Sequence, residues 1–499
     1  MRTNKIYKIL VILCSLLCLS NHVETNAMSS INEDMEQYVE SMVEEGNLPG
    51  VFVAIVKDDA PPIFIMKGYQ DIKNGVLVTE NTRFEMGSNS KAYTGLGLLY
   101  LVKQEKIKLD DPVKKYIPWF ELYYRGEEQE ILVKDLLYQT TGVNPSTIGL
   151  ILPDNNDDAL FTTVEELTEH ETIFKAGEHF LYATINYDCI GLLIEEVTGK
   201  SFEEFMNETI LPKYGLKNTY AGKQAIGKDR FAATGYKLGL LGNVENQAPI
   251  YRGNTPAGYI VTDGCDLAKW LELQLEAVMK KDTCDEIIAK SQIPDTRVEP
   301  LQVEPYSEAF QYSAGWLVFE DEVISHGGNN PDFSSYLLID GKHGYAVGVL
   351  CNRDTSYAYG IAKGISDILQ GKPPSKAPTD IFIAIIAIVK IGLIVINALL
   401  AWMGTMLIRK YTYIRRNRYS FITSVNKNKK KIIVYVGITI MILVIPAILI
   451  WKSMYSLEFL SVWAPECFMI LLEELVLLLI IAMLNKMLHV LLPKGEVLR

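Results

Sequence analysis

Residues 84–97 read FEMGSNSKAYTGLG and place two serines and a lysine within four positions, Ser88-Asn89-Ser90-Lys91. A serine hydroxyl becomes a strong nucleophile when a base takes its proton, and a lysine can be that base once burial lowers its pKa. On a helix, adjacent residues such as Ser90 and Lys91 point about 100° apart, a poor relay. Ser88 and Lys91 are three apart and share a face one turn apart. A serine at a helix N-terminus also sits among backbone N–H groups that favour negative charge. A spacing this short recurs by chance, so the competing reading is a polar first helical turn.

Two later stretches carry compatible chemistry. In FLYATINYDCIGLLIEEVTG (180–199), Tyr182 precedes a helix with strong apolar periodicity. A tyrosine beside a lysine can pass a proton to a leaving amine, whereas the bland alternative is a packing tyrosine in a capping loop. In SHGGNNPDFSS (325–335), His326-Gly327-Gly328 ends a strand. Glycine lets a backbone approach a ligand closely, so an extended substrate fits alongside this edge. The N–H near Asn329 can join the Ser88 N–H as an oxyanion hole. The alternative is a plain hairpin with a structural histidine.

These pieces need a scaffold, and the pattern between about 28 and 370 predicts a mixed α/β (α+β) domain. SSINEDMEQYVESMVEEG has helical apolar spacing, and GVFVAIVKD and PIFIMKGYQD read as strands. Residues 88–105 read as a mostly buried helix, and about 110–220 as largely helical. AGWLVFED, VISHGG, SSYLLID and YAVGVLCN are successive strands, and YGIAKGISDILQG is a closing helix. Strands from both ends of the domain with helices between predict one antiparallel sheet, terminal helices over it and an inserted helical region.

The chain has 499 residues and a net charge of −12, which argues against a nucleic-acid partner. Residues 1–27 read as a signal peptide, with Arg2, Lys5 and Lys8 before the apolar run ILVILCSLLCLS. Cys189, Cys265, Cys284 and Cys351 are scattered and form no disulfide framework. The six histidines are isolated, so neither a metal nor a cofactor is expected. GKPPSKAPTD (371–380) is a Pro-rich linker to a membrane domain, 381–499. There, 381–408, 432–451 and 467–488 are each long and apolar enough to span a bilayer. RKYTYIRRNRYSFITSVNKNKKK carries nine basic residues and no acid, which predicts a cytoplasmic loop, an extracytoplasmic catalytic domain and a C-terminus inside. Lys390 lies roughly 14 Å into the first span at 1.5 Å per residue, level with Glu473 and Glu474 in the third. Charges at such depth usually pair, so a Lys390 contact with Glu473 or Glu474 is expected, with snorkelling as the alternative.

In this order the three motifs resemble the serine β-lactamase and penicillin-binding-protein superfamily, whose pattern is S-x-x-K, Y-x-N and a K-T-G or H-x-G strand. The resemblance covers about 35–370. LDDPVKKYIPWF, LLYQTTGV, PAGYIVTDGCDLAKWL and GWLVFE are similar to the class C-related branch. It implies Ser88 as nucleophile, Lys91 as base, and Tyr182 as proton donor. One departure matters. Where the family has Y-S-N, this chain has Tyr182-Ala183-Thr184, which weakens the case for an efficient β-lactamase.

A class C-like domain followed by three membrane spans, with YKLGLLG, YATINYD and SHGGNNPDFSS, is similar to the family of membrane-anchored prodrug-activating D-asparaginyl peptidases. That resemblance implies removal of an N-acyl-D-asparagine cap from an exported nonribosomal precursor, with the spans near an exporter. It implies Thr184, Asn330 and Asn254 as substrate-binding residues. Two other readings stand beside it: a D,D-carboxypeptidase, esterase or weak β-lactamase, and a non-catalytic membrane sensor that stays acylated. The short inner segments hold no output domain, which counts against the sensor.

Overall fold

The computed structural model describes residues 31–416, apart from 223–228, 304–305, 307 and 378, and residues 457–491, with 429–430, 432–437 and 440–441 between them. The expected signal peptide and most of the expected second span, 432–451, lie outside the described residues.

The unbroken apolar run GVFVAIVK becomes strand β1 (Gly50–Lys57), covered on both faces. It is followed by β2 (Ile63–Asp71) and β3 (Val76–Leu77). Far along the chain come β4 (Phe310–Tyr312), β5 (Leu317–Phe319), β6 (Val323–Asn330), β7 (Phe333–Asp340) and β8 (Tyr345–Cys351). The sheet order is β4-β5-β6-β7-β8-β1-β2-β3, and neighbours run antiparallel. β1 pairs with β8 in the register Val53↔Val349, which closes the two ends of the domain onto each other.

Helix α1 (31–46) has its apolar stripe, Met35, Val39 and Met42, on one face of this sheet. Beside it lies α5 (Tyr357–Leu369), burying Ile361 and Ile365 against Val51, Val53, Val347 and Val349. On the other face lies α4 (Gly264–Val278), where Leu267 and Leu271 touch Gly348 and Gly264 rests on the Phe52 ring. A side chain at Gly264 would overlap that ring, so the glycine sets how closely α4 seats.

The inserted region supplies α2 (Ser90–Lys103) and α3 (Ile185–Thr198). Nearly every residue of α2 is buried, which is why the sequence shows no polar stripe there. Gly191 of α3 lets Pro256 approach, since a Cβ there would lie 2.2 Å from the proline ring. The short helix Thr255–Gly258 is thereby held against α3, and Thr94 of α2 donates to its Pro256 carbonyl at 2.6 Å.

The chain divides into two compact units, one of residues up to Tyr236 with Ile250–Pro378, the other of Lys237–Pro249 with Thr379 onward. In the second unit, α6 (Ile381–Arg416) packs along α7 (Glu466–Leu491). Among the described residues, two helices, Ile381–Arg416 and Cys467–Val490, are long and apolar enough to cross a membrane. Leu238 and Leu240 of the 237–249 segment pack on Ile386, Val389, Leu393 and Cys467. The expected Lys390 contact is not formed. Lys390 is exposed and makes no ion pair among the described residues, and Glu474 instead accepts from Asn397 Nδ2 at 2.8 Å. Axial register explains the difference: Lys390 and Asn397 are seven apart on nearly the same helix face, and it is Asn397, about 10 Å further along at 1.5 Å per residue, that lies level with Glu474.

Candidate active site

The Ser88 turn is a single 3-10 turn, Gly87–Asn89, that runs directly into α2. Its neighbours hold it from both sides. Gly87 has φ +52° and lies so near β6 that a Cβ would be 2.4 Å from the Asn329 nitrogen. Asn89 Nδ2 donates to Ser335 Oγ at 2.7 Å, and Ser335 Oγ donates to the Met86 carbonyl at 2.6 Å. Ser90 Oγ accepts the Ile260 N–H at 2.9 Å and is fully buried. Ser90 is thus a structural tie, whereas Ser88 stays half-exposed toward the cleft.

Lys91 is fully buried, with Nζ 3.0 Å from Ser88 Oγ and 2.9 Å from the Ala257 carbonyl. Its ammonium lies over the rings of Tyr182 and Tyr187, at 5.2 and 5.9 Å. Burial lowers its pKa from 10.5 to about 7, against the pull of the buried Asp188. The amine is therefore a base of about the right strength at neutral pH.

The Ser88 and Thr184 hydroxyls lie near enough to the Tyr182 phenol to act on its pKa, and burial, the larger effect, pushes it well above the ordinary range. It keeps its proton at neutral pH and can lend it. His326 donates through Nδ1 to the Gly327 carbonyl at 2.7 Å, because that oxygen only accepts. Its Nε2 then accepts from the Tyr312 hydroxyl at 3.3 Å. Burial, and secondly the Lys91 charge, pull its pKa down to about 3, so the ring is neutral and stands behind Tyr182 at 5.9 Å between centroids.

The end of β6 lies against the Ser88 turn. A Cβ on Gly328 would be 2.1 Å from the Met86 oxygen and 3.0 Å from the Ser88 nitrogen. That contact needs glycine and brings the Asn329 and Ser88 backbone nitrogens to one junction. The Asn329 side chain turns outward and donates to Asp354.

A cluster of buried polar side chains adjoins the same junction. Asn330 Nδ2 donates to Glu85 Oε2 at 2.8 Å and to the Gly258 carbonyl at 2.9 Å. Asn254 Nδ2 donates to Asp188 Oδ2 at 2.8 Å. The structure thus gathers Ser88, Lys91, Tyr182 and Thr184 at one point and sets the amide oxygens of Asn330 and Asn254 beside Gly258. Sequence reading passed over Glu85 and Asp188. Their signal was present: each is an acid inside an apolar run, FEM in one case and INYDCIGLLI in the other, and a buried acid wants a partner.

A serine hydroxyl against a buried amine and a phenol, beside the end of an antiparallel sheet, is the arrangement that the class of S-x-x-K serine hydrolases uses. Residues 35–371 match the Beta-lactamase family, and the chain belongs to it and is a serine hydrolase. It is 30% identical over 334 residues to protein flp of Staphylococcus aureus (strain MW2), a match covering 66% of this chain and 65% of that one, so the chain spans under two thirds of that relative. It is 23% identical over 322 residues to penicillin-binding protein 4* of Bacillus subtilis, covering 61% of this chain and 69% of that one. Among solved structures it is similar to the octameric penicillin-binding protein homologue from Pyrococcus abyssi, with a TM-score of 0.59, 26% identity, and coverage of 72% of this chain and 81% of that one.

Proposed function

We propose that this chain is a membrane-bound serine D-peptidase that removes an N-acyl-D-asparagine cap from an exported peptide precursor. Ser88 Oγ attacks the D-asparaginyl carbonyl while Lys91 takes its proton. The backbone N–H groups of Ser88 and Asn329 hold the developing oxyanion. Tyr182 protonates the departing amine and is reprotonated from Lys91. The resulting N-acyl-D-asparaginyl ester of Ser88 is then hydrolysed by water activated at the same lysine, releasing N-acyl-D-asparagine.

The observation that supports the substrate assignment is the cluster of fixed polar side chains beside the Ser88 turn, where Glu85 and Asp188 hold the amides of Asn330 and Asn254 and Thr184 lies next to Tyr182. A site built to hydrogen-bond one polar side chain rejects analogues lacking it strongly, by up to about 10⁴-fold. The two apolar helices support anchoring, and the charge pattern of the loops supports an outward-facing catalytic domain and an inward C-terminus. A third span at 432–451 and a neighbouring exporter belong to the same proposal.

The second reading, a D,D-carboxypeptidase, esterase or weak β-lactamase, draws on the likeness to penicillin-binding protein 4*. The test sets an N-acyl-D-Asn amide, its L-Asn counterpart and nitrocefin against the purified full chain. D-selective amide hydrolysis that disappears in Ser88→Ala is expected. Fast nitrocefin turnover without D-Asn cleavage would replace the proposal with the second reading.

A further inference from the structure

Asp188 is a buried acid to which the chemistry just described gives no part. It lies in α3, one turn past Thr184, is fully buried, and feels the Lys91 charge besides bonding Asn254. Its Oδ2 accepts the amide N–H of Asn254 at 2.8 Å, and Asn254 is itself only 9% exposed. Taking an amide donor inward forces the other end of the amide, Oδ1, to face away from Asp188. The destination of that oxygen is recorded by Gly258. A Cβ built there would lie 3.0 Å from Asn254 Oδ1 and 3.3 Å from Asn330 Oδ1. The donors of Asn330 are likewise turned inward, to Glu85 and the Gly258 carbonyl. Two amide oxygens therefore lie beside the same face of Gly258, and among the described residues no hydrogen bond is donated to either.

We propose that Asp188 is a positioning residue for substrate selection: it locks the Asn254 amide so that Asn254 Oδ1 and Asn330 Oδ1 together accept the N–H₂ group of a substrate carboxamide and repel a carboxylate. The inference rests on the D-asparaginyl reading and supplies its chemical basis. Paired acceptors suit a group with two donors, and they leave a substrate carboxylate with no donor to meet. The lock works whichever protonation state Asp188 holds, because Oδ2 accepts in both. Gly258 matters for the same reason, since a side chain there would press on both oxygens.

The test compares N-acyl amides of D-Asn, D-Asp and D-Ala on the detergent-solubilised full chain. Wild type is expected to favour D-Asn over D-Asp. Asp188→Ala frees the Asn254 amide to turn, so the D-Asn/D-Asp ratio of kcat/KM falls by roughly tenfold, the loss of about one hydrogen bond, mainly through KM. Asn254→Ala lowers the ratio equally, and the double variant is no worse than either single one, because both act on one contact. Asp188→Asn keeps a carbonyl acceptor for Asn254 and retains most of the ratio, which keeps the test sound where Asp188→Ala folds poorly. A merely structural aspartate would lower thermal stability and kcat for all three substrates while leaving the ratio alone, and that result overturns the proposal. So do additive losses in the double variant. A wild type that leaves the D-Asn amide intact overturns the D-asparaginyl reading and this inference with it. A selective wild type whose ratio survives in Asp188→Ala and Asn254→Ala overturns this inference alone.

Discussion

At the scale of single residues, two serines two positions apart have opposite fates. Ser88 Oγ faces Lys91 across 3.0 Å, while Ser90 Oγ accepts the Ile260 N–H inside the core. Ser88→Ala is expected to lower kcat by roughly 10³-fold or more without unfolding the chain. Ser90→Ala keeps the chemistry but strands a buried N–H, at a cost of about 1–3 kcal/mol in a denaturant titration. Lys91 predicts a second pair of results. With a pKa of about 7, kcat/KM should rise with pH through a midpoint near 7 as the amine loses its proton. The same depressed pKa acts on stability. Between pH 7 and 10.5 the unfolded chain binds the lysine proton and the folded chain does not, so stability rises with pH there, by at most about 1.4 kcal/mol per pH unit, and the penalty is in full force below pH 7. Lys91→Met should therefore exceed wild type in stability by more at pH 6 than at pH 9, while losing activity. An acid limb well away from 7, with no such gap, removes Lys91 as the base.

At the scale of elements, the site depends on a strand end and a helix start held in contact by glycines. Gly328 of β6 and Gly87 of the turn let two backbones meet where any side chain would intrude. Gly328→Ala places a methyl 2.1 Å from the Met86 oxygen, so the strand must withdraw from the Ser88 nitrogen. A displacement of about 1 Å there should cost roughly 10²-fold in kcat, with smaller effects on KM and melting temperature. Unchanged kcat in this variant would separate β6 from catalysis. The strands and helices themselves were legible in the sequence, because apolar runs such as GVFVAIVK and the period of SSINEDMEQYVESMVEEG state both element and buried face. The order of the motifs likewise indicated which serine, lysine and tyrosine would meet. What the sequence hid is long-range: that Asn254 reaches Asp188, 66 positions away, and that Asn330 reaches Glu85, 245 positions away. Such contacts follow from how α3, β6 and the Thr255–Gly258 helix pack, and no local spacing encodes them. The Lys390 contact failed for a related reason: the two helices meet about one heptad away from the register that counting from each span's start predicts, so Asn397 and not Lys390 reaches Glu474.

At the scale of the whole molecule, a Beta-lactamase family domain at 35–371 is joined to a chain end carrying two helices able to cross a membrane. On the proposed function, tethering would let a fixed site meet a substrate arriving at the membrane at high local concentration. Everything proposed for this arrangement turns on one covalent species, the N-acyl-D-asparaginyl ester of Ser88. The most direct measurement is an acid-quenched digestion and peptide mass map of the full chain after brief mixing with an N-acyl-D-Asn amide. The expected result is a mass increment equal to the N-acyl-D-asparaginyl group on the peptide containing Ser88, absent with the L-Asn amide and absent in Ser88→Ala. Turnover of the D-Asn amide with no such adduct on any time scale, or with the adduct on another residue, would contradict the account.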